Sequence, residues 1–309
     1  MLAVPDDLRH TPFRGSDAVR DGALTAAQLR RHCWRRLFPD VYVHREVPVT
    51  HELRAMAAGR LLLPDDVITG VSAAALWGVP LASADDDVEA TRWPGGHPVR
   101  VPGLRVRRAD LEARTVVRHR GVHLMTPEAT AVRLASALPL VEAVAAVDQL
   151  VVLAGADLEE VRWLAGTALG PGSRRARRAV ALADGLAESP QESRLRLLIG
   201  DSGLPAPVAQ FRVLDGGRVV ARVDFGWPEQ QVALEYDGPW HAEPGQFARD
   251  RQRLNRLTAA GWRVLFVTAA DLHQPGRLVA RIAPRSALCA DCRSVDPRPT
   301  SGAQPRPTV

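Results

Sequence analysis

The sequence predicts a mixed α/β (α+β) protein whose C-terminal part is a mixed sheet flanked by helices, and three observations carry that expectation. The stretch VALEYDG, from Val232, alternates with the two-residue period of a half-buried strand. Asp215-Gly216-Gly217, set between runs of apolar residues, is a hairpin signal. ESPQESRLRLLIGDSGLP opens a helix, with Ser189 as cap, Pro190 in the first helical position and Glu192 three residues after the cap.

The chain has 309 residues, 46% hydrophobic and 24% charged, an ordinary globular composition, and at roughly 150 residues per domain its length suggests about two domains. All 40 basic residues are arginine, so no lysine takes part in its chemistry. A net charge of +5 and a pI near 10.0 lean towards polyanions. Three cysteines, Cys33, Cys289 and Cys292, cannot frame so large a chain with disulfides, and MLAVPDDLRHTPF lacks the apolar core of a signal peptide, so a cytoplasmic protein is expected. The longest apolar segment, from Leu138, is interrupted by Glu142 and Asp148; both are expected on a helix face towards water, and no membrane partner is expected.

Taken in order, residues 1–50 hold a short helix capped by Thr25, with Leu29 inward, then a two-stranded ribbon turning at Pro39-Asp40, with Tyr42 and Val43 on its return strand. That is the outline of a small winged helix. Arg30, Arg31, Arg35 and Arg36 surround it, either as DNA contacts or as a solvated face. Residues 51–180 read as a mainly helical middle region with short strand-like pieces, and no catalytic pattern stands out there. It ends in the arginine run 174–178, for which a solvated basic helix face is the expectation.

Residues 187–285 read as helix, three strands, helix, strand. Along the third strand Val232, Leu234 and Tyr236 share one face, while Ala233, Glu235 and Asp237 share the other. The preceding strand is expected to separate Val223 and Phe225 from Arg222 and Asp224 in the same way. Three carboxylates, Asp224, Glu235 and Asp237, therefore converge, which suits a hard divalent cation bound through oxygen. Asp250 and Arg253 lie one turn apart on the following helix, as an i,i+3 pair or as support for that site. Near the end, Cys289 and Cys292 form a lone CxxC with only His273 nearby, two ligands short of an ordinary zinc site. Residues 293–309, rich in Pro, Ser and Thr, are expected to be a disordered tail.

Two resemblances follow from these residues. The LTxxQL helix at Leu24 to Leu29 and the RRLFPDVYV strand pair resemble the N-terminal winged-helix module of AbiEi-type antitoxin proteins. Asp224, ten residues, then Glu-x-Asp-Gly-x-x-His, followed by Asp250-x-x-Arg253 and GWRVLFVT, resembles the PD-(D/E)XK restriction-endonuclease-like fold. Within that fold it is similar to the branch related to the very-short-patch-repair (Vsr) endonuclease.

The second resemblance implies a DNA endonuclease in which Asp224 and Glu235 bind magnesium, or manganese in its place. It implies catalytic places for Asp237 and His241, the latter after Trp240, and support from Asp250 and Arg253. Glu192 matches an acidic residue on the fold's first helix, although capping explains it equally. Arg222 is a further candidate for holding the DNA backbone. The usual lysine of Glu-x-Lys is replaced by Asp237, which keeps open a different class of function: a DNA-binding regulator or antitoxin-like protein with an inactive nuclease-like domain. RNA as the substrate also stays open.

Overall fold

The computed structural model describes residues 6–238 and 246–286. Trp240, His241, Cys289, Cys292 and the 293–309 segment lie outside the described residues. The chain divides into two compact units, Met1–Arg194 and Leu195–Val309.

The first unit starts with α1 (Asp6–Arg9), β1 (Phe13–Arg14), α2 (Gly15–Arg20) and α3 (Ala26–Leu29). Thr25 caps α3 as its sequence suggests: Thr25 Oγ1 accepts from the Gln28 amide, and Gln28 Oε1 accepts from the Thr25 amide, at 3.2 and 2.6 Å. The ribbon is β2 (Trp34–Phe38) and β3 (Val41–His44), in a sheet ordered β1-β3-β2. Asp40 turns the ribbon with φ +61°, a left-handed conformation that a short polar side chain tolerates. Its carboxylate accepts from the Ser16 amide and hydroxyl at 2.8 and 2.6 Å, tying the turn to α2. Phe38 and Val41 then pack into the same core as Ile68 and Leu124, so the ribbon shares its core with the middle region.

That middle region continues with α4 (His51–Ala57), β4 (Val67–Ile68), α5 (Gly70–Leu76), β5 (Val88–Arg92), β6 (Leu104–Arg108), β7 (Val116–His119) and β8 (Val122–Met125). The strand-like pieces of the sequence assemble into a five-stranded mixed sheet, β6-β5-β4-β8-β7. Four helices follow: α6 (Pro127–Ala137), α7 (Leu140–Ala154), α8 (Leu158–Thr167) and α9 (Ser173–Leu182).

Two sequence expectations are corrected here. Asp148 does not face water: it is fully buried, and accepts from the amides of Asp184 and Gly185 at 3.0 and 2.9 Å and from Ser193 Oγ at 2.7 Å. The chain after α9 turns back over α7, and its amides need an acceptor there. Glu142 is half-buried, its side chain 44% exposed, and Arg194 pairs with it. The arginine run is also more than a solvated face. Arg175 donates to the carbonyls of Ser136 and Ala137, and Arg177 to that of Ala168, so the two cap the C-terminal ends of α6 and α8.

In the second unit, α10 (Pro190–Asp201) runs across the unit boundary. The sheet comprises β9 (Val208–Asp215), β10 (Arg218–Trp227), β11 (Val232–Tyr236) and β12 (Arg263–Val267), in the order β12-β11-β10-β9. β9 and β10 form the expected hairpin. β11 and β12 are parallel and joined through α11 (Gln246–Ala259), and α12 (Ala269–Leu272) and α13 (Pro275–Ser286) close the described chain.

One face of this sheet buries Phe225, Trp227, Val232 and Leu234 against Leu195 and Ile199 of α10 and Leu278 and Ile282 of α13. The other buries Val213, Ala221, Val223 and Ala233 against Leu257 of α11 and Trp262. Val223 and Phe225 therefore lie on opposite faces, and the strict alternation expected of β10 fails at Asp224. The cause lies in β9, where Gln210 has φ +50° between the register pairs Val223↔Phe211 and Phe225↔Ala209. Among the described residues no helix is long and apolar enough to cross a membrane.

Candidate active site

The site forms where the broken strand meets its regular neighbour. Alternation in β11 puts Ala233 and Glu235 on the face covered by α11, and Leu257 and Arg253 of that helix lie one turn apart over them. Asp224 stands beside Glu235, and its Oδ2 accepts from the Tyr236 amide at 2.7 Å. This side-chain acceptor serves a strand amide where the regular ladder of β10 has been lost. Asp237 follows β11, its amide donating to the Val267 carbonyl at 2.7 Å.

Glu235, Asp237, Asp250 and Arg253 line one cleft of about 250 Å3, floored by Leu254, Leu257 and Phe266. Arg253 Nη1 and Nη2 donate to Glu235 Oε1 and Oε2 at 2.6 and 2.5 Å, the two-pronged geometry that a guanidinium offers a carboxylate. Arg253 Nη1 also reaches the Arg222 carbonyl at 3.4 Å.

Burial pushes the Glu235 carboxyl above the usual carboxylate range; the Arg253 bond pulls it back in part, and the charges of Asp224 and Asp250 raise it again. Arg253 itself is held above its ordinary value, because the Glu235 carboxylate more than offsets the effect of burial, with Asp250 and Asp224 adding to it. The site thus holds more negative than positive charge in a partly dry setting, and a further cation would relieve it.

Of the residues expected at the site, the structure brings together Asp224, Glu235, Asp237, Asp250 and Arg253. His241 lies outside the described residues. Glu192 takes the capping arrangement: its carboxylate accepts from the Glu188 amide and Ser189 Oγ at 2.9 and 2.8 Å, and its amide donates to Ser189 Oγ. The Arg253 fork onto Glu235 was not foreseen. Helical spacing suggested Asp250 as its partner, and nothing in an 18-residue separation signals Glu235. Arg30, Arg31, Arg35, Arg36 and Arg222 are all exposed.

The donor set tests whether a divalent metal fits. It is made of carboxylate oxygens, which suit magnesium or manganese better than softer ions. Arg253 takes one hydrogen bond at each Glu235 oxygen, and a carboxylate offers about four lone-pair sites. Oxygen capacity therefore remains on Glu235 beside Asp224, a donor set of two carboxylates; among the described residues no group of three or more acidic, His or Cys side chains is placed to hold a metal ion.

No protein-family model matches the chain. Two proteins of Mycobacterium tuberculosis, uncharacterized protein MT2308 of strain CDC 1551 / Oshkosh and uncharacterized protein Rv2248 of strain H37Rv, are each 43% identical to it over 110 residues. That alignment covers 35% of this chain and 41% of each relative, so the chain spans less than half the length of the curated relatives it matches. Among solved structures, the crystal structure of the RV2827C protein from Mycobacterium tuberculosis aligns with a TM-score of 0.40 and 15% identity, covering 60% of this chain and 75% of that one.

Proposed function

We propose that the second unit is a metal-dependent endonuclease that hydrolyses DNA phosphodiester bonds. The observation that carries this reading is that Glu235, Asp237 and Asp250 line one open cleft together with Arg251 and Arg253, with Asp224 beside Glu235. Magnesium or manganese held by Asp224 and Glu235 would supply Lewis acidity and a bound water of lowered pKa.

The protein's own residues supply the rest. Arg253 fixes the orientation of Glu235 and brings in a permanent positive charge from α11, where the related fold carries a lysine on the strand. A guanidinium does not release a proton near neutral pH, so Arg253 positions and neutralises, and proton exchange falls to another group. His241 is the residue proposed for that exchange. Asp250 stands on the same helix as Arg253, one turn earlier, and steadies its charge. The reaction is hydrolysis at phosphorus, with water as the nucleophile and a sugar hydroxyl as the leaving group.

The same fork favours a second reading, a DNA-binding regulator with an inactive nuclease-like domain, because Arg253 already occupies both oxygens of Glu235. Cleavage of supercoiled and single-stranded DNA with magnesium, manganese or chelator decides between them. The nuclease reading expects metal-dependent cleavage that disappears in Asp224→Ala and Glu235→Gln. A folded wild-type protein that cleaves with neither metal, yet binds DNA through Arg30, Arg31, Arg35 and Arg36, establishes the regulator.

A further inference from the structure

The first unit holds a larger cavity than the candidate active site, about 550 Å3, that the nuclease reading leaves unused. Val132, Arg133 and Ser136, one face of α6 at helical spacing, line it opposite Trp163, Leu164 and Thr167 of α8. Its volume lies in the range of sites for small molecules, and a gap between packed helices is one of the usual places for them. Two apolar side chains at this cavity are left open to water: Trp163 is 48% exposed and Leu169, in the turn after α8, is 94% exposed. The charges along the lining are unequally matched. Arg114 has two acids, Glu112 at 2.8 Å and Glu160 at 3.7 Å, and its guanidinium lies 4.2 Å from the centre of the Trp163 ring. Arg133 is half-buried, and its guanidinium has no hydrogen-bond or ion-pair partner among the described residues.

From this juxtaposition we infer that the α6–α8 cavity is a binding site for a small aromatic acid, its carboxylate on Arg133 and its flat ring beside Trp163. The inference is independent of any reading of the second unit. With Glu112 and Arg114 neutralising one another, Arg133 gives the lining one uncompensated positive charge, which selects a ligand with one negative charge. A guanidinium partly withdrawn from water gains charge-assisted hydrogen bonds, two in parallel at best, when a carboxylate enters. The body of the ligand is set by the apolar surface. Arg114 already fixes the orientation of the Trp163 indole, so a planar ring stacks there at little cost in side-chain freedom. Val132 and Leu164 continue the apolar wall, and Leu169 at the rim loses its contact with water when a ligand lies under it.

The test is calorimetric titration of the full chain with naphthoate, with its uncharged isostere naphthamide, and with octanoate, an acid without a ring. The wild type is expected to bind naphthoate saturably and more tightly than either of the others. Arg133→Gln is expected to weaken naphthoate by about tenfold or more, the loss of one hydrogen bond to a charged group, and to leave naphthamide unchanged. Trp163→Ala is expected to weaken both aromatic probes alike. Leu169→Ser, at an almost fully exposed position, is expected to weaken naphthoate by about fivefold with no change in melting temperature. That variant and the comparison of probes on the wild type keep the test decisive should Arg133→Gln fail to fold. No saturable binding of naphthoate, equal affinity for naphthoate and naphthamide, or full affinity in folded Arg133→Gln overturns the proposal. Octanoate bound as tightly as naphthoate overturns the aromatic class of the ligand.

Discussion

Arg253 and Glu235, 18 residues apart in sequence, meet through two parallel hydrogen bonds of 2.6 and 2.5 Å that join α11 to β11 at the mouth of the candidate site. Glu235 is 7% exposed at its side chain and Arg253 33%, so the pair sits at the margin between protein and water. Removing one partner strands the other. Arg253→Ala is expected to lower unfolding free energy by about 3 kcal/mol, the low end of the range for a broken buried pair. Arg253→Ala/Glu235→Gln is expected to recover part of that loss. Urea denaturation of the two variants checks both, and equal stability of Arg253→Ala and wild type would show that the fork carries no energy.

The raised Glu235 carboxyl sets the sign of a pH effect. The folded protein holds this proton more tightly than the unfolded chain, so between the ordinary glutamate value, about 4.3, and the raised one the native state binds more protons. Stability from this group is present below that window and lost as pH rises through it. Glu235→Gln is expected to flatten this part of the profile, measured as the urea midpoint from about pH 4 to 7.

Asp148 makes a sharper prediction in the first unit, because its buried carboxylate satisfies two amides and a hydroxyl at once. Asp148→Ala leaves three donors without an acceptor and is expected to cost about 3 kcal/mol or more. Asp148→Asn keeps an oxygen for one side of the network and is expected to cost less. Chemical unfolding followed by circular dichroism separates the two.

Gly226 lies where β10 is crossed closely by Phe211. A Cβ there would stand 2.8 Å from both Cβ and Cγ of that ring. Gly226→Ala is expected to destabilise the second unit by about 1–3 kcal/mol, as an overpacked core does. Restoration by Phe211→Leu in the double variant, read from melting curves, would identify the ring as the obstacle.

Much of the fold could be read locally. The Thr25 cap, the Asp215-Gly216-Gly217 hairpin and the alternation that puts Glu235 opposite Leu234 depend on a few adjacent residues, and all stand in the structure. What escaped the sequence depends on distant partners. The break at Asp224 originates in the left-handed Gln210 of another strand, Arg253 chose Glu235 over its helical neighbour, and Asp148 looked like a surface charge because the loop that buries it comes some 36 residues later. The middle sheet was similarly hidden, its strands short and joined in an order unlike that of the chain.

The left-handed turn at Gln210 has a second consequence, for the protein's behaviour towards copies of itself. β9 is the last strand of its sheet, and such a border can recruit a strand from a neighbouring molecule. With the backbone reversed in hand at Gln210, the border's donors and acceptors lose their even spacing, and an incoming strand can register with only one side of the irregularity. The distortion that carries Asp224 to its place also makes that border a poor template for self-association.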